Sequence, residues 1–140
     1  MTVVSEIEHR VGYAETDKMG VVHHSNHLVW FEAARTEHMR RTGVTYRELE
    51  EQGVLLAVVD ARVRYRAPAR YDDLVRVSCW IRDVGSRRVT FGYQVVHADS
   101  RALLATGETS LIALNRQHVP SRLPEHVLEL LAPSPAPARP

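Results

Sequence analysis

At 140 residues with 44% apolar content, the chain suits one domain with a packed core and is too short for two. A formal net charge of +1 gives no bulk attraction to nucleic acid or to an anionic membrane, so any anion site must come from local clustering. The single cysteine, Cys79, excludes an intrachain disulfide, and no apolar run approaches the roughly 20 residues of a membrane span. Acidic residues interrupt MTVVSEIEHRV where a signal peptide needs an apolar core, so a cytoplasmic protein is expected.

Residues 3–13 alternate loosely, with Ile7, His9, Val11 and Tyr13 on one side, and read as a first strand. A polar loop over 14–25 carries Gly20 and ends at Ser25 and Asn26, both good helix N-caps. LVWFEAARTEHMRR follows. Its first two turns, Leu28 to Ala34, are apolar nearly all round apart from Glu32, which predicts a largely buried helix. Arg40, Arg41 and Gly43 close it. TYRELEEQG predicts a short helix with a capping box from Thr45 and Glu48, stopped by Gly53.

The period then changes to two. In ARVRYRA, Ala61, Val63 and Tyr65 face one way, and Arg62, Arg64 and Arg66 the other. A turn around Pro68 leads to LVRVSCWIRDV, in which Val75, Val77, Cys79 and Ile81 alternate with Arg76, Ser78, Trp80 and Arg82. Gly85 and Ser86 predict a hairpin to RVTFGYQVVH, and ALLATGETSLIALN is the last long strand. Pro120 breaks it, and Leu123, Val127, Leu130 and Leu131 predict a short helix with Pro124 at its first position. The expected organisation is one domain over 1–131 and a proline-rich, disordered tail over 132–140. Tight turns between strands imply an antiparallel sheet of about five strands, curled around one long helix in an α+β fold, with edges that favour dimerisation.

Residues 13–35, YAETDKMGVVHHSNHLVWFEAAR, allow three readings. As a bland loop, they need no chemistry. As a metal site, they offer His23 and His27 at i, i+4 with His24 beside them, but neither a nearby cysteine nor an H-E-x-x-H arrangement. As a catalytic site, Asp17 on the loop would face a carbonyl as nucleophile or general base. The free N–H groups of the helix start would polarise that carbonyl, and Gly20 would allow close backbone approach. Together these parts describe an acyl-transfer or hydrolysis site, and no G-x-S-x-G occurs.

The run Asp17-x-x-Gly20-x-x-x-His24-x-x-His27, leading into TrpPheGluAlaAlaArg at 30–35, closely resembles the signature of the 4-hydroxybenzoyl-CoA thioesterase family of hot-dog-fold acyl-CoA thioesterases, including the short bacterial enzymes associated with the Tol–Pal system. Tyr65-Arg66-Ala67-Pro68-Ala69, Asp72-Asp73 and Gly85-Ser86-Arg87-Arg88 extend the resemblance over about residues 5–131. It implies a hot-dog fold, Asp17 as the catalytic carboxylate, and a backbone N–H at His24 binding the thioester carbonyl. It implies Gly20, His23 and His27 around the acyl pocket and Arg87 and Arg88 on the phosphates of coenzyme A, which is part of the substrate rather than a cofactor. It also implies a homodimer or homotetramer with the site between subunits. Tyrosine or phenylalanine at the place of His23, and tyrosine at that of His27, are common in the family, so these two positions bear on substrate choice.

Two rival functions are an enoyl-thioester hydratase on the same fold, which needs a second acid or base not identifiable here, and a non-catalytic acyl-CoA or acyl-carrier-binding module, which would have no use for Asp17 and Gly20. Arg62, Arg64, Arg66 and Arg70 read as a solvated or subunit-pairing face, with the nucleotide end of coenzyme A as the functional alternative. Nucleic acid is disfavoured because Asp60, Asp72 and Asp73 balance these arginines. Glu32 is expected to pair with an arginine or to support Asp17. Glu15 is expected to be solvated and Cys79 to be inert, while Arg116 and His118 are within plausible reach of a ligand.

Overall fold

The computed structural model describes residues 4–140. In chain order it has β1 (Val4–Arg10), a 3₁₀ turn (Tyr13–Glu15), α1 (Asn26–Thr42), α2 (Tyr46–Glu51), β2 (Leu55–Tyr65), β3 (Leu74–Val84), β4 (Arg88–His97), β5 (Leu103–Leu114) and α3 (Glu125–Leu128). The five strands form one sheet in the order β1-β3-β4-β5-β2, every neighbouring pair antiparallel. No helix among the described residues is long and apolar enough to cross a membrane.

Local chemistry accounts for most of these elements. The hairpin closes at Gly85, whose N–H donates to the Arg88 carbonyl at 2.7 Å. The α2 capping box forms as expected: Thr45 Oγ1 accepts from Glu48 N–H at 3.1 Å, and Glu48 reaches back to Thr45 N–H. Two strands depart from expectation. β1 ends at Arg10 because Val11 pairs instead with the 72–73 turn, its N–H donating to Asp73 O at 2.9 Å; Val3, the expected first strand residue, lies outside the described residues. β2 begins at Leu55, six positions before the alternating stretch. A bulge between Val58 and Asp60 inserts a residue and breaks the alternation that would have revealed it.

The buried positions of α1 are His27, Trp30, Phe31, Ala34, Arg35, His38 and Met39, an ordinary i, i+3, i+4, i+7 stripe. The helix is therefore one-sided rather than buried all round: Leu28 and Val29 are 40% and 61% exposed. Glu32 is also on the exposed side and makes no ion pair among the described residues, contrary to the expected arginine pairing. The inward-facing arginine, Arg35, finds hydroxyls instead, donating to Tyr46 Oη at 2.9 Å and Tyr93 Oη at 3.2 Å. Burial raises the Tyr46 hydroxyl to about 12 despite the cation beside it.

The helix is seated on the sheet by aromatics. Phe31 stacks on Tyr93 with centroids 4.2 Å apart and planes within 5°. Tyr93 lies opposite Gly107 in the β4–β5 register, and a Cβ on Gly107 would overlap the Phe31 ring. On the other face, Trp80 lies over Gly92 in the same manner. Leu123, Val127 and Leu131 close the core from the C-terminal side, with Pro124 at the cap of α3 rather than at its first helical position. Past residue 131 the chain stays on the domain for a few residues: Ser134 is buried and its N–H donates to Ile81 O at 2.8 Å. The alternation of β3 holds, with Val75, Val77, Cys79 and Ile81 fully buried, and burial pushes the Cys79 thiol far above its usual range.

Candidate active site

The loop before α1 is folded by its own backbone. Asp17 N–H donates to Val21 O at 2.8 Å and Gly20 N–H to Asp17 O at 2.9 Å, a reversal that requires the left-handed φ of 79° at Gly20. Asp17 Oδ1 accepts from Met19 N–H at 2.9 Å and fixes the carboxylate, which accepts no other hydrogen bond among the described residues. Val22 N–H, donating to Ala69 O at 2.8 Å, ties the loop to the segment after β2.

Glu15 carries the other half of the anchoring. Its carboxylate accepts from Gly12 N–H at 2.8 Å, Trp30 Nε1–H at 2.7 Å and His9 Nε2 at 2.8 Å. Its carbonyl accepts from His23 N–H at 2.8 Å and from the Asn26 side chain at 3.0 Å. Burial opposes its charge, but the hydrogen bonds from Gly12, His9 and Trp30 outweigh it and hold the carboxyl below its ordinary value. The expectation of a solvated Glu15 is thus corrected. The 3₁₀ turn rotates its side chain inward, a conformation that extended-strand parity does not anticipate.

The start of α1 is left uncapped. Ser25 occupies the cap position in a helical conformation, its hydroxyl turned to His23 Nδ1 at 2.8 Å, and Asn26 is spent on Glu15. The His24 N–H has no hydrogen-bond partner among the described residues, while the His24 carbonyl accepts from Tyr65 Oη at 2.7 Å. A cavity of about 450 Å³ opens here, lined by Asp17, Met19, His24, His27, Tyr65 and the 66–69 segment. His27 is 3% exposed, held by Trp30 (centroids 4.8 Å) and by the edge of Tyr65 (4.9 Å), and neither ring nitrogen has a hydrogen-bond partner. Burial lowers its pKa, so the ring is neutral near pH 7.

Of the residues singled out from sequence, Asp17, His24 and His27 meet at this cavity. Gly20 shapes the loop without lining the cavity, and His23 is exposed, its ring tilted 30° against that of His24 with centroids 4.1 Å apart. Arg87 on the β3–β4 turn and Arg88 at the start of β4 are exposed and do not line it. His23 and His27, one exposed and one buried, share no face, and no group of three or more metal-ligating side chains occurs among the described residues. Arg116 is structural, packing on Gly53 and donating to Glu51 O at 3.0 Å. Met19, Val21, Val22 and Tyr65 line the cavity and were missed as site residues by sequence reasoning. Tyr65 was visible as an inward-parity aromatic, whereas nothing in the sequence marks Met19.

The sequence profile described as "Thioesterase-like superfamily" matches residues 11–131. The chain belongs to this superfamily. The family resemblance read from Asp17, Gly20, His24 and His27 therefore holds, and the sheet with α1 is a hot-dog-type thioesterase fold. The chain is 41% identical to a putative acyl-CoA thioesterase, YneP, of Bacillus subtilis over 66% of this chain and 67% of that protein. It is 30% identical to the acyl-CoA thioester hydrolase YbgC of Escherichia coli over 85% of this chain and 89% of that one. Among solved structures of this thioesterase-like fold, the DHNA-CoA thioesterase of Staphylococcus aureus aligns with a TM-score of 0.83 at 34% identity, covering 87% of this chain and 82% of that one.

Proposed function

We propose that the protein hydrolyses an acyl-CoA thioester to a free acid and coenzyme A, with Asp17 as nucleophile or general base. The observation that carries this reading is the meeting, in one cavity, of a carboxylate with a spare oxygen and a helix start whose His24 N–H is unpaired. Relatives named as acyl-CoA thioesterases support it.

In the general-base route, Asp17 takes a proton from water as the oxygen bonds to the thioester carbon. The carbonyl electron pair moves onto oxygen, where the His24 N–H and the positive end of α1 stabilise it. Collapse expels the thiolate. In the nucleophilic route, Asp17 itself forms the C–O bond and expels the thiolate, and water then cleaves the resulting anhydride. Neither route needs a metal or a bound cofactor. His27, neutral and shielded, forms part of the wall against the acyl group. Gly20 serves by holding the turn that presents Asp17.

A homodimer or homotetramer in the cytoplasm, with Arg87 and Arg88 reaching a neighbouring subunit's substrate, belongs to the same reading. It is supported by the open edge of β2, where Val58 and Val59 are 50% and 48% exposed.

The test is a panel of aromatic, short and long acyl-CoA esters with release of free coenzyme A as the readout, on wild type and Asp17→Asn. The variant is expected to lose roughly 10²–10⁴-fold in kcat. Failure of the wild type on every ester, or full activity in the variant, would sink the proposal. One turnover in H₂¹⁸O tests the nucleophilic route: an unlabelled product with ¹⁸O left on Asp17 arises only from an anhydride cleaved at the Asp17 carboxyl carbon, and trapping the acyl-enzyme tests cleavage at the acyl carbon.

A further inference from the structure

The backbone N–H groups of Val22, His23, His24, Ser25 and Asn26 run in succession from the loop into α1. Val22 donates to Ala69 O at 2.8 Å, His23 to Glu15 O at 2.8 Å, Ser25 to the His23 ring Nδ1 at 3.2 Å and Asn26 to His23 O at 3.0 Å. Only the His24 N–H in this run lacks a partner among the described residues. The opening is therefore a single N–H wide, and the peptide units around it set its direction.

The peptide that carries the His24 N–H also carries the His23 carbonyl. Asn26 holds that carbonyl through its backbone N–H at 3.0 Å and its side chain at 3.3 Å. The following peptide carries the His24 carbonyl. In a regular helix this carbonyl would accept from Leu28, but the Leu28 N–H goes to Ser25 O at 3.2 Å. Tyr65 Oη donates to His24 O instead, at 2.7 Å, joining the start of α1 to the end of β2 across 41 residues of chain.

Tyr65 stands on rigid backbone. Its register partner on β5 is the fully buried Ala105, and the next N–H groups, of Arg66 and Ala67, donate to Leu104 O at 2.8 and 3.1 Å. Its ring meets the buried His27 ring edge to face, with centroids 4.9 Å apart. Support of this kind can hold a neighbouring group to within a fraction of an ångström, the tolerance that a reacting geometry requires. We propose that Tyr65 is a positioning residue: its hydroxyl fixes the peptide after His24 and so aims the open His24 N–H at the thioester carbonyl opposite Asp17. The role rests on the thioesterase reading above, which gives Tyr65 no part. Because Tyr65 acts through the His24 peptide, it should matter when charge builds on the carbonyl oxygen, not when substrate binds.

The test removes one oxygen atom, in Tyr65→Phe, and keeps the ring that packs on His27. With an acyl-CoA ester that wild type hydrolyses, kcat should fall about tenfold and KM should stay within about twofold of wild type. A second readout is the carbonyl itself. A thioester labelled with ¹³C at that carbon and bound to Asp17→Asn should show a downfield shift from polarisation by the helix start, and a smaller one when bound to Tyr65→Phe/Asp17→Asn. A third readout needs no substrate. In ¹⁵N-labelled protein, Tyr65→Phe should move the His24 amide resonance and leave that of Gly43, beyond the far end of α1, in place.

Full kcat in Tyr65→Phe, or an unchanged carbonyl shift, would overturn the role. A rise in KM with kcat unchanged would also overturn it, by giving the hydroxyl a direct hold on substrate. So would a fall in kcat with the His24 amide unmoved, because the hydroxyl would then act on the reacting atoms itself. If wild type hydrolyses no thioester, the reaction assigned to the cavity fails, and the His24 amide decides the rest separately: an unmoved resonance removes Tyr65 from the role, and a moved one keeps it as the residue that sets the open N–H.

Discussion

The two ends of α1 differ in how they treat polar groups. At the C-terminal end, Gly43 adopts a left-handed φ of 103° and its N–H closes onto Arg40 O, while Val44 N–H returns to Met39 O. Glu37 holds both Arg40 and Arg41, and buried His38 shares a 2.7 Å hydrogen bond with buried Ser5 of β1. At the N-terminal end, the two residues suited to capping are occupied elsewhere, the His24 N–H is open, and His27 is buried with two unpartnered nitrogens. An unpartnered buried nitrogen costs about 1–3 kcal/mol, so the contrast is energetic as well as geometric. One end is finished for stability, and the other is left incomplete where a ligand can complete it.

Substitutions at each end should separate these roles. The largest effect belongs to Asp17→Asn, whose loss of roughly 10²–10⁴ in kcat equals about 2.7–5.5 kcal/mol of barrier and should leave the melting temperature unchanged. A parallel loss of stability would show that Asp17 holds the loop instead. Next, Ser5→Ala at the opposite end strands His38 Nδ1 and should lower unfolding free energy by about 1–3 kcal/mol, with kcat within twofold of wild type. Denaturant titration and steady-state rates measure the two together, and a large drop in kcat would break the division between the ends.

Ser25→Asp supplies negative charge at the open end. It should stabilise α1 by about 0.5 kcal/mol and, on the proposed mechanism, lower kcat about tenfold, because the charge would sit where the carbonyl oxygen becomes an oxyanion. Stability and activity rising together would contradict the oxyanion assignment.

The smallest effect is on pH dependence. Burial lowers His27 and His38 from 6.5, so the unfolded chain binds their protons more readily and stability falls as pH drops below 6.5. Glu15, depressed from 4.5, contributes stability above 4.5 that is lost as pH falls through its lower folded value. In Glu15→Gln, the further loss below pH 4.5 should be shallower than in wild type, as read by urea unfolding across pH.

Where sequence chemistry is local, it predicted the structure. The Thr45/Glu48 box, the Gly85 hairpin and the inward Val75-Val77-Cys79-Ile81 series need only their neighbours. The antiparallel α+β class followed from the tight turns between strands, and Asp17, His24 and His27, singled out by a motif, line one cavity. What stayed hidden depends on contacts distant in sequence or on local irregularity. The start of β2 is concealed by a bulge, and Glu15 by a 3₁₀ turn. Glu32 looked buried because its neighbours are apolar, but those neighbours, Leu28 and Val29, are themselves exposed. Arg35 was not foreseen as an inward cation because its partners, Tyr46 and Tyr93, lie 11 and 58 residues away.

Gly107 has a consequence for tolerance. Because no side chain stands there, the Phe31 ring rests directly against the β5 backbone. That contact works like a depth stop in a machined fitting: it sets how far α1 sinks onto the sheet. The same helix, four residues earlier, carries His27 into the cavity, and its start presents the His24 N–H. One methyl group at position 107 would raise the whole assembly by a fraction of its own width. The alignment between a carboxylate on a loop and an N–H on a helix is thus governed from a strand that touches neither.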